Sequence, residues 1–316
     1  MACFRFSIII GHWEKTMGDM LRGRVAVITG AGNGLGRAYA ISFAAQGARV
    51  VVNDLGTSHD GHGASPAEAD AVVDRIRKAG GIAVANYASV AVENCAKSIL
   101  QQAVDEFGRI DILVNNAGII RHQDIDAIKT EDWDLMVKTH LYGMMYCTRA
   151  ATPYMKKQNY GRILCTSSHI GLGFPGQASY STVKEGIVGF ARTVAREMAK
   201  CGTTCNVLRP IAVWRGPGPK ITNPLYEANQ PEDVAALATY LASEAADHIN
   251  GCIFEVFHGH VGIFVEPAPV EKVIKKDGTW TAEELARVIP AKLTAGHSRE
   301  AFPFTLPDIF KLPPQE

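Results

Sequence analysis

The chain carries no net charge. Its 316 residues hold 32 Lys and Arg against 32 Asp and Glu, so it has no electrostatic footprint for nucleic acid or an anionic membrane. No apolar run approaches the ~18 residues that would span a bilayer, and no transmembrane helix is expected. The seven cysteines are odd in number and include no Cys-x-x-Cys pair. That usage suits reduced thiols in an intracellular protein better than a disulfide framework. Internal repeats and low-complexity tracts are also missing, which excludes repeat arrays and long linkers. Phe6-Ser7-Ile8-Ile9-Ile10 is too short and too early for a secretion signal, and Met17 and Met20 offer alternative translation starts. The last residues, Pro313-Pro314-Gln315-Glu316, are not a Ser-Lys-Leu peroxisomal address, so a cytoplasmic location is expected.

What is present is an ordinary globular composition, 47% hydrophobic and 20% charged. Length alone would allow two domains, but doubly wound folds often use about 250 residues in one. The expected division is an N-terminal extension over 1–20, one catalytic body over 21–260, and a tail over 261–316. Apolar and periodic segments alternate. They predict strands at 24–29, 48–53, 82–86, 110–115, 161–166, 203–208 and 252–257. Helices are predicted near 35–46, 66–79, 92–107, 131–158, 178–200 and 231–242. Alternation of this kind predicts an α/β fold.

Thr29-Gly30-Ala31-Gly32-Asn33-Gly34-Leu35-Gly36 follows the first strand and opens the first helix. Strand, glycine turn and helix form the context of a dinucleotide site. Glycines let the backbone approach a pyrophosphate, and a helix N-terminus offers N–H donors and a positive dipole. Asp54 ends the second strand, 24 residues after Gly30. A carboxylate there accepts from ribose hydroxyls and repels a 2′-phosphate. With Asn33 and Asn53 nearby instead of basic residues, the expected cofactor is NAD rather than NADP. Asn115-Asn116-Ala117-Gly118 closes the fourth strand, and Ser89-Val90, after the third, is expected to meet the adenine.

Tyr180 and Lys184 lie four residues apart in a predicted helix, on one face. A cation beside a phenol favours the phenolate, so the pair predicts a lowered tyrosine pKa and an acid/base group.

Taken in order, Thr29 to Gly36, Asn115 to Gly118, Ser168, and Tyr180 with Lys184 resemble the motif set of the short-chain dehydrogenase/reductase family. The resemblance runs from about Gly23 to Gly259. It implies a Rossmann-type, doubly wound sheet of seven parallel strands with helices on both faces. It implies that Ser168 polarises a carbonyl, that Tyr180 is the acid/base, and that Lys184 holds the nicotinamide ribose. By the same resemblance the cofactor-binding positions are Gly30, Asn33, Gly34, Leu35, Gly36, Asp54, Ser89, Val90, Asn116, Ala117, Gly118, Tyr180, Lys184 and Val213. A closer likeness, in Gly34–Ala40, Val51–Gly56, Lys156–Ile163 and Phe254–Val256, is to the (3R)-hydroxyacyl-CoA dehydrogenases of peroxisomal multifunctional enzymes.

Three positions depart from the family. His140 stands where an asparagine supporting a proton-path water is usual; imidazole can donate and accept, so a relay is one reading and a packed helix histidine the other. Ser168 lies one residue closer to Tyr180 than usual; Ser167 fits the distance and Ser168 the Ser-x-x-Gly motif. Pro210-Ile211 replaces a Pro-Gly pair.

Trp214 to Lys220, rich in Pro and Gly, reads as a loop; the resemblance makes it a lid, with Trp214 against an acyl chain and Arg215 or Lys220 near phosphate. His59, His62, His258 and His260 lack the partner spacing of a zinc site, and no metal is expected. Cys201 and Cys205 flank the start of a strand. In the tail, Ala282 to Val288 predicts a short helix, and Pro303, Pro307, Pro313 and Pro314 predict extended structure.

The leading expectation is an NAD-linked dehydrogenase of a secondary alcohol, best represented by a 3-hydroxyacyl thioester. A ketoreductase of specialised metabolism and a non-catalytic NAD-binding scaffold are the alternatives. Apolar residues on two faces of the helices at 131–158 and 178–200, including Leu135, Met144, Met145, Ile187, Val188 and Phe190, predict a homodimer or homotetramer.

Overall fold

The computed structural model describes residues 18–58, 61–212, 229–265 and 270–295. Strands and helices alternate as the apolar pattern requires. The strands are β1 (Val25–Thr29), β2 (Arg49–Asn53), β3 (Ile82–Asn86), β4 (Ile112–Asn115), β5 (Gly161–Thr166), β6 (Thr203–Pro210), β7 (Ile253–Phe257) and β8 (His260–Ile263). The α-helices are α1 (Gly34–Ala45), α2 (Ala67–Lys78), α3 (Glu93–Phe107), α4 (Thr130–Val137), α5 (Gly143–Gln158), α6 (Ala178–Met198), α7 (Pro231–Ala242) and α8 (Ala282–Lys292).

The strands form one sheet in the order β3-β2-β1-β4-β5-β6-β7-β8. Strands β1 to β7 are parallel, with Val27 of β1 registered against Val51 of β2 and Leu113 of β4. The sheet has eight strands, not the seven expected. Gly259, at φ +72, turns the chain back after β7, and Phe257 pairs with His260 to start an antiparallel β8. The sheet therefore continues past residue 260.

Both faces of the sheet are covered, which is why its strands read as near-continuous apolar runs. Ala26, Ile28, Val50 and Val52 pack under α1, α2 and α7 through Tyr39, Phe43, Val72, Ile76 and Leu241. Val25, Val27 and Val51 pack under α3, α5 and α6 through Ile99, Leu100, Met144, Ile187 and Val188. Leu21, wholly buried, joins the first of these cores ahead of β1.

The one helix expected over 131–158 is interrupted. Residues Lys138–Tyr142 form a π-helical turn between α4 and α5. Each of these residue types is compatible with ordinary helix, so the sequence gives no sign of the extra residue. The turn carries His140 inward, where it is 3% exposed. Gly143, just beyond, lets α5 close on Val90: a Cβ there would lie 2.9 Å from Val90 Cγ2. Cys205 lies within β6, buried, and not at its entrance. Helix α8 runs beyond the expected Val288 to Lys292, opened by a capping box of Thr281 and Glu284. Val213, Trp214, Arg215, Lys220, His59 and the prolines from Pro303 onward lie outside the described residues, as do Met1 to Met17.

Candidate functional site

The strand order reverses between β1 and β4, and the crevice beyond their C-terminal ends is where doubly wound sheets bind ligands. Thr29 ends β1 there. Its Oγ1 donates to Val114 O at 3.2 Å and accepts from the N–H groups of Asn116 and Ala117, each at 3.1 Å. Asn116 Nδ2 reaches back to the carbonyls of Thr29 (3.1 Å) and Gly30 (3.0 Å). The two switch-point loops are thus stitched together by side chains. Thr29 was legible only as the first letter of the glycine motif; its hydroxyl's bracing role was not.

The glycine turn fits a backbone that must come close to its neighbours. A Cβ on Gly36 would lie 2.0 Å from Gly30 O, and one on Gly30 would lie 2.7 Å from Ala117 Cα. Asn33 caps α1, its Oδ1 accepting from Gly34 N at 2.8 Å. The first-turn amides of Leu35 and Gly36 have no intrahelical acceptor, and they face the helix's positive end. Asp54 sits beside this turn. Its Oδ2 accepts from Gly32 N and its Oδ1 from Gly56 N, both at 2.8 Å. Ser89 and Val90 follow β3; Ser89 Oγ accepts from Ala91 N at 3.2 Å, and Val90 is 8% exposed. This close-packed cradle with one carboxylate fits a dinucleotide.

Four polar side chains converge beside the cradle. Ser168 follows β5 and caps a 3₁₀ turn, His169–Leu172. Tyr180 and Lys184 project from the first turns of α6. Lys184 is 4% exposed, and its Nζ donates to Thr166 O at 2.8 Å. Ser168 neighbours the Tyr180 phenol, whereas Ser167 Oγ is turned away and donates to Lys184 O at 2.8 Å. The His140 ring meets the Tyr180 ring edge-on, with centroids 5.7 Å apart.

The electrostatics differ from the expectation drawn from the Tyr–Lys spacing. Burial pushes the Tyr180 phenol up to about 12, and the neighbouring Ser168 hydroxyl only partly offsets it. Burial also pushes Lys184 down to about 7. The two side chains are close, with Nζ 5.3 Å from the ring centroid, but burial governs the titration of each. The imidazole of His140 is held near 3, first by burial and then by the Lys184 cation, so it is neutral at physiological pH. Its Nε2 is 2.8 Å from Ile119 O and 3.1 Å from Ile119 N. One nitrogen cannot serve both, so the tautomer selects the partner. Nδ1 of His140 and Oδ1 of Asn115 are buried without a protein partner. Both residues line a narrow cavity of about 10 Å³, together with Thr29, Thr139 and Thr166.

Ile211 is 5% exposed and its N–H donates to Val256 O at 3.0 Å, so the residue in place of the usual glycine is tied to β7. His62, His258 and His260 do not gather as ligands; among the described residues no cluster of His, Cys, Asp and Glu has metal-binding geometry. No helix among them is long and apolar enough to cross a membrane.

A doubly wound sheet with a glycine cradle, and a serine, tyrosine and lysine at its switch point, defines a nucleotide-dependent oxidoreductase. The chain belongs to the short-chain dehydrogenase family, whose model matches residues 24–214. It is 50% identical over 234 residues to the peroxisomal multifunctional enzyme type 2 of Drosophila melanogaster, covering 74% of this chain and 38% of that one. It is 39% identical over 250 residues to a 3-oxoacyl-[acyl-carrier-protein] reductase of Synechocystis, covering 76% of this chain and 98% of the relative. Its structure resembles the crystal structure of a short chain dehydrogenase from Mycobacterium avium, with a TM-score of 0.77 at 39% identity, over 87% of this chain and 96% of the other. The chain spans about a third of the length of the multifunctional relatives it matches.

Proposed function

We propose that this chain is an NAD-linked dehydrogenase of 3-hydroxyacyl thioesters. The observation that carries the reading is the convergence of Ser168, Tyr180 and Lys184 beside the glycine cradle. The thioester follows from the relatives, one a peroxisomal multifunctional enzyme and another a 3-oxoacyl reductase.

In this reading, Gly30 to Gly36, Asp54, Ser89, Val90 and Asn116 to Gly118 hold the nucleotide, which when bound accepts hydride from the alcohol carbon. Asp54 favours NAD, because a second anion on the ribose would face its carboxylate. Ser168 hydrogen-bonds the substrate oxygen. Tyr180 Oη takes the proton as the oxygen becomes a carbonyl and returns it in the reverse direction. A phenol pushed up to about 12 by burial holds its proton, the form that serves as the acid in the reducing direction. Lys184 grips the ribose and restores charge next to the phenol. Nδ1 of His140, buried and unpartnered, can accept or supply a proton through a water in the adjoining cavity. Residues 21–260 form the catalytic body in this reading, and the tail packs on the body or on a sister subunit. Homodimers or homotetramers form through the outer faces of α5 and α6, beside Tyr142 of the π turn, which is 46% exposed.

The test is NAD reduction with a panel of (3R)- and (3S)-hydroxyacyl-CoAs of graded chain length. Turnover of one hand of the panel supports the reading. Turnover confined to non-thioester alcohols, or tight NAD binding with no turnover, refutes it.

A further inference from the structure

The serine that faces Tyr180 sits on a short turn with few bonds of its own. Within it, Gly171 N donates to Ser168 O and Gly173 N to Ile170 O, both at 3.1 Å, and Ser168 Oγ accepts from Ile170 N at 3.2 Å. Short 3₁₀ turns are weakly held by such bonds. Ser181 Oγ fixes the far end by donating to Ile170 O at 2.7 Å.

The near end is held by something else. His169, next to Ser168, is 7% exposed, and its Nε2 stands 3.1 Å from Glu255 Oε2 on β7. The other oxygen of Glu255 lies 2.6 Å from His260 Nε2 on β8. The His260 ring stacks on Phe257, with centroids 4.4 Å apart and planes 11° from parallel. A Cβ on Gly262 would come within 2.8 Å of Glu255 Oε1, so that glycine makes room for the carboxylate. Phe264 closes the group, 5.8 Å from the His169 ring and 4.8 Å from the Arg209 guanidinium. Arg209 in turn pairs with Glu185, the neighbour of Lys184, at 2.8 Å. His169 Nε2 makes no hydrogen bond, so its approach to Glu255 is a close contact of opposite partial charges. The three side chains do not form a metal site.

We propose that Glu255, acting through His169, is a positioning residue that sets Ser168 against the reacting oxygen, with the β7–β8 hairpin as its rigid support. The proposal rests on the reading of Ser168 as the polarising hydroxyl. A reacting group must be held to within about 0.5 Å to be effective, and the contact with Glu255 adds to the restraint that the turn's own bonds give Ser168.

The test compares His169→Leu, Glu255→Gln, the double variant, His169→Gln and Ser168→Ala. Turnover is read on the thioester that the unmodified chain oxidises fastest, with NAD affinity measured separately. His169→Leu and Glu255→Gln are each expected to lower kcat by about 10- to 100-fold, with NAD affinity unchanged. The double variant should be no worse than the poorer single variant, because both changes act through one contact. His169→Gln, which keeps an N–H at the Nε2 position, should restore most of the rate. If Ser168→Ala collapses turnover while His169→Leu and Glu255→Gln stay within twofold of the unmodified chain, the clamp is refuted and the serine's role stands. If the single losses add, or appear only in NAD affinity, the clamp is likewise refuted. Full turnover by Ser168→Ala would remove the serine reading and the clamp with it.

Discussion

A Cβ on Gly118 would lie 2.5 Å from Cε1 of His140. The glycine that ends the Asn115–Gly118 motif is thus fitted to the imidazole that the π turn carries inward. Each explains the other: the bulkier ring in place of asparagine needs a side-chain-free neighbour, and the ring fills the space the glycine leaves.

Gly118→Ala should therefore destabilise the protein by about 1–3 kcal/mol, the usual range for overpacking a well-filled core. Adding His140→Asn should recover much of the loss, since the shorter amide withdraws from the new methyl group. Urea midpoints of the two variants and the unmodified chain test this; a Gly118→Ala midpoint equal to that of the unmodified chain would rule out the fit.

Asp54 braces the glycine turn through Gly32 N and Gly56 N, and in the proposed reading it also faces the ribose. Asp54→Ala should weaken NAD binding and narrow the gap between NAD and NADP. Calorimetric titration of the unmodified chain with both nucleotides gives the reference. Tighter NADP than NAD binding there would contradict the assignment.

Two buried bases make folding stability depend on pH. Lys184 has its folded pKa lowered to about 7 from an ordinary 10.5. Between those values the unfolded chain holds more protons, so this group's contribution to stability rises with pH across that window. His140 is lowered to about 3 from 6.5. By the same sign its contribution falls as pH drops from 6.5 towards 3. Lys184→Met should flatten the rise above pH 7, and His140→Asn should reduce the acid loss. Denaturation midpoints from pH 4 to 10 measure both; a Lys184→Met profile parallel to that of the unmodified chain above pH 7 would contradict the burial of an uncharged lysine.

Most of the fold was legible because its signals are local and repeated. The apolar runs Val25–Ile28, Val50–Val52 and Ile112–Val114 have no polar alternation, as a sheet covered on both faces requires. Gly30, Gly34 and Gly36 marked the switch point because close approach excludes side chains there. Strand β8 was missed because its residues are mixed and its pairing depends on one turn at Gly259. The π turn was missed because it is a change of hydrogen-bond register, not of composition. The lowered phenol pKa expected from the Tyr180–Lys184 spacing was wrong for the ligand-free chain, since spacing reports proximity and not desolvation. Ser167 and Ser168 could not be separated by distance along the chain, and the bond that turns Ser167 Oγ to Lys184 O is not legible there.

In the proposed reaction Tyr180 moves the proton. The most direct measurement is the turnover of Tyr180→Phe on a substrate the unmodified chain oxidises, with NAD affinity determined in parallel. Phenylalanine keeps the ring, its packing against His140 and its place on α6, and removes only the titrating oxygen. General acid/base catalysis is typically worth ~10²–10⁴ in rate, so turnover should fall by that order while NAD binds almost as before. Near-normal turnover by Tyr180→Phe would contradict the claim and leave the motif as a mark of the fold alone.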